Sequence, residues 1–262
     1  MNEVPGRWGD LRPRVLSAVA MLAVGGVDLW AGGWFFALLA VIITGLMMWE
    51  LARMTRVDRA DFSIGLGAIA GLVLALNLWF GWAGSPMALT LLLPGAIGVF
   101  APRRDRKVFF AYALIIMLTG LCLVILRNSL GLAPMLWLIS VVIVSDVMGY
   151  FAGRILGGPK FWPAVSPKKT WSGTAAGWVG AAVVGWGCWL AGFGGSNLIW
   201  VSPLIAFAGQ MGDIAESAIK RRAGVKDSSN LIPGHGGLLD RFDALAFAAI
   251  AFAALQSTLP VF

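Results

Sequence analysis

"VFFAYALIIMLTGLCLVIL", Val108–Leu126, runs without a charged residue between a basic cluster, Arg103, Arg104, Arg106 and Lys107, and the isolated Arg127. A helix needs ~20 mostly apolar residues to cross the ~30 Å hydrocarbon core of a bilayer, and lipid offers backbone amides no partners, so such a run dictates a membrane-spanning helix. Working outward, comparable runs occupy roughly 13–28, 32–51, 62–82 and 86–101 before it, and 131–151, 173–192, 197–219 and 243–260 after it. The expectation is an all-α polytopic integral membrane protein of about nine transmembrane helices. Only Asp28 and the Gly32-Gly33 pair separate the first two runs, and the fourth is short and contains Pro94, so an eight-helix count stays open. The composition agrees: 13% of the 262 residues are charged, about half the ~25% of soluble domains, and the mean hydropathy is +0.82.

Charge placement tests the count. Arg7, Arg12 and Arg14 precede the first run; Arg53, Arg56 and Arg59 follow the second; the 103–107 cluster follows the fourth. Arg154, Lys160, Lys168 and Lys169 follow the sixth, and Lys220, Arg221, Arg222, Lys226 and Arg241 separate the eighth from the ninth. With nine spans, nineteen of the 20 basic residues fall on one side, Arg127 being the exception. Positive loops face the cytoplasm. This predicts a cytoplasmic N-terminus, a C-terminus on the opposite side, and a multi-pass protein of the cell membrane. The net charge of +7 is then a topology signal, with attraction of anionic lipid as its second consequence, and no nucleic-acid partner is implied. No small-residue cleavage site follows the first run, which reads as a retained anchor. Cys122 and Cys188 lie inside apolar runs and read as packing residues rather than a disulfide. The chain divides into early spans, 1–130, expected to form a scaffold or a dimer contact, and 131–262, whose cytoplasmic loops 153–172 and 220–242 hold most of the polarity.

Within 220–242 and its flanks, "IKRRAGVKDSSNLIPGHGGLLDRFD", Ile219–Asp243, contains the single histidine, His235, and the acids Asp227, Asp240 and Asp243. Just before it, Asp213, Glu216, Ser217 and Lys220 are spaced to share one helical face. Ionisable groups at membrane depth suggest a site, although an intrahelical acid-to-lysine network would explain this face equally well. Asp240 and Asp243 stand three apart where the ninth helix begins, as caps or as carboxylates facing Asp213. Several hard oxygen ligands beside basic loops suit Mg²⁺ and phosphate. One histidine and two membrane-embedded cysteines do not suit zinc. The other loop, with "SPKKTWSG", Ser166–Gly173, sets Lys168, Lys169, Thr170 and Ser172 at a helix N-terminus, an arrangement able to hold phosphates as well as to anchor the loop. No G-x-x-x-x-G-K-[ST] motif is present.

The stretch Ser217–Asp243 resembles the C-terminal signature of the phosphatidate cytidylyltransferases, or CDP-diacylglycerol synthases. Ser217, Lys220-Arg221, Lys226-Asp227, the Pro233-Gly234-His235-Gly236-Gly237 turn and Asp240-Arg241-Phe242-Asp243 all match it. "SDVMGYFAGRILGG", from Ser145, and "SPKKTWSG" resemble the family's upstream elements; Ser172 replaces an expected acid and Ser229 a common glycine. The resemblance implies transfer of the cytidylyl group of CTP to phosphatidate, with membrane lipid and both substrates as partners. It implies Asp213 and Asp240 as Mg²⁺ ligands, Asp243 as a further ligand or orienter, and a second ion such as K⁺. It further implies Lys168, Lys169, Lys220, Arg221, Lys226 and Arg241 as phosphate-holding residues beside Ser166 and Thr170. Ser217 would bind phosphate or position Asp213, and His235 would shape its loop and contact nucleotide. Two rival functions would leave different marks in the sequence. A CDP-alcohol phosphotransferase would need an Asp-Gly-x-x-Ala-Arg pattern, which is absent; a transporter would use Asp146 and Asp213 as ion sites, but would place polar groups toward the midplane rather than at one face.

Overall fold

The computed structural model describes residues 11–57, 62–259 and 261–262, with side chains from Arg14 onward; Arg7, Arg59 and the side chain of Arg12, all used in the charge pattern, lie outside the described residues. Among the described residues are nine α-helices: α1 Leu11–Ala31, α2 Gly33–Thr55, α3 Ser63–Phe80, α4 Gly84–Phe100, α5 Arg106–Leu130, α6 Leu132–Ile155, α7 Trp171–Leu190, α8 Leu198–Ala223 and α9 Leu239–Thr258. The eight-helix alternative falls at Gly32, whose φ of +63° breaks α1 from α2 at a conformation glycine adopts without cost. Six of the nine (α1, α2, α3, α5, α6 and α8) are long and apolar enough to cross a membrane, and α4 is a shorter apolar helix of 17 residues. Uncharged α7 is rich in glycine and tryptophan, and α9 begins with three charged residues in its first five.

Among the described residues the one non-helical element is a hairpin in the segment expected to be a loop. Strand β1, Lys160–Trp162, pairs antiparallel with β2, Ser166–Thr170, Lys160 opposite Thr170 and Trp162 opposite Ser166. Phe161 packs edge-on against Trp171 at 4.6 Å between ring centres, and the Thr170 hydroxyl accepts the Gly173 amide at 3.2 Å, capping α7. A peptide that leaves a helix end must satisfy its own amides, and the hairpin does so.

Contacts between sequence-distant loops gather most of the basic segments at one end of the bundle. Arg56 bridges Arg103, Arg222 pairs with Asp105 at 2.7 Å, and Lys169 pairs with Asp213 at 2.5 Å. At the other end, Arg127 donates to the Leu29 and Trp30 carbonyls at 2.7 and 3.1 Å, stopping the C-terminus of α1. Two large apolar cores, and a small third of Ala37, Ala40 and Val124, hold the helices. One joins Leu29, Leu123 and Leu126 to residues of α6–α9; the other joins α2–α5 to Ile219 of α8 and Leu239 of α9.

Close approach of α8 and α9 depends on Gly212. A Cβ there would strike the Asp243 carbonyl oxygen and meet Phe247 Cδ2 at 2.9 Å.

Candidate active site

With α8 and α9 this close, Asp213 and Glu216 from α8 face Asp243 from α9, and one carboxylate oxygen of each lies within 4.8 Å of the others. Glu216 is fully buried; its Oε2 pairs with Lys220 Nζ at 2.5 Å, while Oε1 has no hydrogen-bond partner among the described residues. The same holds for the buried Tyr112 hydroxyl of α5. Asp213 receives Lys169 from β2 at 2.5 Å and the Ser217 hydroxyl at 3.4 Å. Four carboxylates, counting Asp240, thus meet two lysines, and the excess negative charge beside an unsatisfied buried oxygen fits a hard divalent cation held by Asp213, Glu216 and Asp243.

Asp240 is not one of that trio. Its Oδ1 takes Lys220 at 2.7 Å, and its Oδ2 accepts the Ser228 amide at 2.9 Å, the Ser228 hydroxyl at 3.0 Å and the Gly237 amide at 2.8 Å. It ties the 226–237 loop to the start of α9. Asp243 accepts the adjacent Ala244 amide at 2.7 Å. Arg241 donates twice to the His235 carbonyl, at 3.0 and 2.6 Å, and His235 Nδ1 lies 2.8 Å from the Ser17 hydroxyl of α1. Arg221 and Lys226 are exposed beyond these groups. The network reading of α8 therefore holds for Lys220 with Glu216, whereas Asp213 looks outward to a different element.

Beside Asp213 a cavity of about 580 Å³ opens between α6, the hairpin, α7 and α8. Its wall includes Asp146, Arg154, Lys168, Lys169, Thr170 and Gln210; Ser166, at the far end of β2, does not line it. Gln210, unremarked in the sequence, ties the wall together: its amide nitrogen donates to Ser145 Oγ at 3.2 Å, its side-chain oxygen accepts Trp178 Nε1 at 3.0 Å, and its carbonyl accepts Lys169 at 3.4 Å. A carboxamide inside an otherwise apolar helical run was the available signal. Glu50 of α2 was missed too. Fully buried, it accepts the Leu238 and Leu239 amides at 3.0 and 2.6 Å and the Ser229 hydroxyl at 2.5 Å.

The profile of the Cytidylyltransferase family matches residues 12–259, nearly the whole chain. The chain belongs to this family. Among cytidylyltransferase relatives, a phosphatidate cytidylyltransferase of Brucella abortus (strain 9-941) is 34% identical over 254 residues, covering 92% of this chain and 91% of its own length. One of Pseudomonas aeruginosa is 33% identical over 267 residues, covering 94% and 96%. One of Staphylococcus haemolyticus is 30% identical over 250 residues, covering 90% and 95%. The resemblance read from Ser217–Asp243 thus extends along the chain, and the transporter alternative gains no support from these cytidylyltransferase relatives.

Proposed function

We propose that this protein transfers the cytidylyl group of CTP to phosphatidate, giving CDP-diacylglycerol and pyrophosphate in phospholipid synthesis. The observation that carries the reading is the meeting, at Asp213, of a carboxylate trio with a cavity walled by Lys168 and Lys169. The family and the names of its relatives support the substrates.

An ionised oxygen of the lipid phosphate attacks the α-phosphorus of CTP; the bond from that phosphorus to the bridging oxygen breaks, and pyrophosphate leaves with the electron pair. No strong general base is required. The work is alignment and charge neutralisation. Asp213, Glu216 and Asp243 would hold Mg²⁺, which supplies positive charge against the phosphate oxygens. Lys169, released from Asp213, and Lys168 hold phosphates in the cavity, with Thr170 setting their strand. Lys220, Asp240 and Arg241 keep the 226–237 loop and the start of α9 in place. The basic end faces the cytoplasm, where CTP is available, and the lipid phosphate reaches it from the leaflet surface.

The test is pyrophosphate release by purified protein in detergent with CTP, phosphatidate and Mg²⁺, each omitted in turn, and diacylglycerol as control lipid. Release that requires all three is expected; folded protein silent with varied lipids would refute the assignment.

A further inference from the structure

Helix α9 begins without a cap of its own: Leu238 occupies the cap position and its side chain accepts no hydrogen bond. The amides of a helix's first turn need acceptors, and leaving them buried without any is costly. The acceptors come from α2. Glu50 Oε1 takes the Leu238 amide at 3.0 Å and Oε2 the Leu239 amide at 2.6 Å, so one carboxylate spans both. The same two oxygens receive the Ser229 hydroxyl, at 2.5 Å, and, shared with Asp240, the Ser228 hydroxyl, at 3.3 Å. Ser229 is the residue that replaces the family's common glycine, and its hydroxyl also accepts the Leu231 amide at 3.1 Å. The arrangement has no room to slacken. A Cβ on Gly237 would meet Glu50 Oε1 at 2.5 Å and collide with the Ser228 hydroxyl. A carboxylate faces the positive end of α9, a favourable placement for its charge in a buried setting.

We infer that Glu50 is a positioning residue for the reaction: from the N-terminal half it fixes the height and rotation of the start of α9, and through it Asp243 in the carboxylate trio and Asp240 in the loop anchor. The inference rests on the cytidylyltransferase reading. A misplacement of ~1 Å at reacting groups costs ~10²-fold in rate. Glu50→Gln presents an amide N–H₂ to donors that need an acceptor, and should lower kcat by about that ~10² factor per folded molecule while raising the Mg²⁺ concentration for half-maximal rate. Ser229→Gly, which removes one of the four donors, should lose roughly threefold to tenfold, the equivalent of one hydrogen bond.

The experiment compares wild type, Glu50→Gln and Ser229→Gly as full-length protein in detergent. Turnover and its Mg²⁺ dependence are measured together with hydrogen exchange of the peptide spanning 226–243 and the elution profile as a check on folding. Faster exchange at Leu238 and Leu239 in Glu50→Gln, with a displaced Mg²⁺ curve, is expected. Loss of activity with an unchanged Mg²⁺ curve and unchanged exchange would overturn the positioning role. A silent wild type would remove the cytidylyltransferase reading and this role with it, whereas an active wild type beside a fully active Glu50→Gln would remove this role alone.

Discussion

Asp213 and Asp243 come together because residue 212 has no side chain. Gly212→Ala would drive its methyl into the Asp243 carbonyl and Phe247, prising α9 from α8 at the carboxylate trio. Turnover should fall by ~10²-fold or more while the protein remains inserted, and Gly187→Ala on α7, where a Cβ meets nothing within 4 Å, should behave as wild type in the same assay. Asp240 behaves differently because its partners are protein groups. Asp240→Asn leaves one of the Lys220, Ser228 and Gly237 contacts facing an N–H₂ group; we expect turnover to be abolished and stability to drop by ~1–3 kcal/mol, read as a lowered unfolding temperature in detergent. Near-normal rates in this variant would remove Asp240 from the active machinery. The sequence spacing brings both acids to the start of α9, and so to the right end of the molecule. Which of them joins Asp213 and Glu216, and which takes Lys220 and the 226–237 loop, depends on the rotation of α9, set by contacts at Gly212 and Glu50 that no local pattern encodes. Glu50 was illegible for a related reason: its donors lie 178 to 189 positions away.

At the scale of elements, the helices were legible because each is a run of apolar residues closed by charge or glycine, and the observed ends differ from the expected ones by a few residues at most. The hairpin was not. β1 has three residues, and Pro159, Pro163 and Pro167 punctuate the segment, a composition that reads as loop. Its role follows from its end. Thr170 is at once the last residue of β2, the cap of α7 and part of the cavity wall. Thr170→Ala should therefore cost ~0.5–2 kcal/mol of stability and also weaken CTP use, since Lys168 and Lys169 hang on the same strand. A thermal shift paired with the KM for CTP checks both; a fall in stability with an unaltered KM would separate the cap from the wall.

For the molecule as a whole, charge alone divides its two ends, and the observed contacts among Arg56, Arg103, Arg222 and Asp105 at one end and Arg127 with α1 at the other keep that division. Orientation in the membrane can be read by labelling. With Cys122 and Cys188 replaced by alanine, a cysteine at Lys226 should react with an impermeant thiol reagent only when the cytoplasmic face is open to it, and one at Ser196, between α7 and α8, only from the other face. The reverse pattern would invert the topology. The hold of Glu50 on α9 has a further consequence, for biogenesis. During synthesis α2 is made long before Leu238 and Leu239 exist, so its buried acid waits for α9, and the end of the bundle that holds the carboxylate trio can close only once α9 is in place. Fragments divided at Gly131 should each insert yet remain inactive alone, and should regain turnover when produced together, because the final clasp is made between them rather than within either.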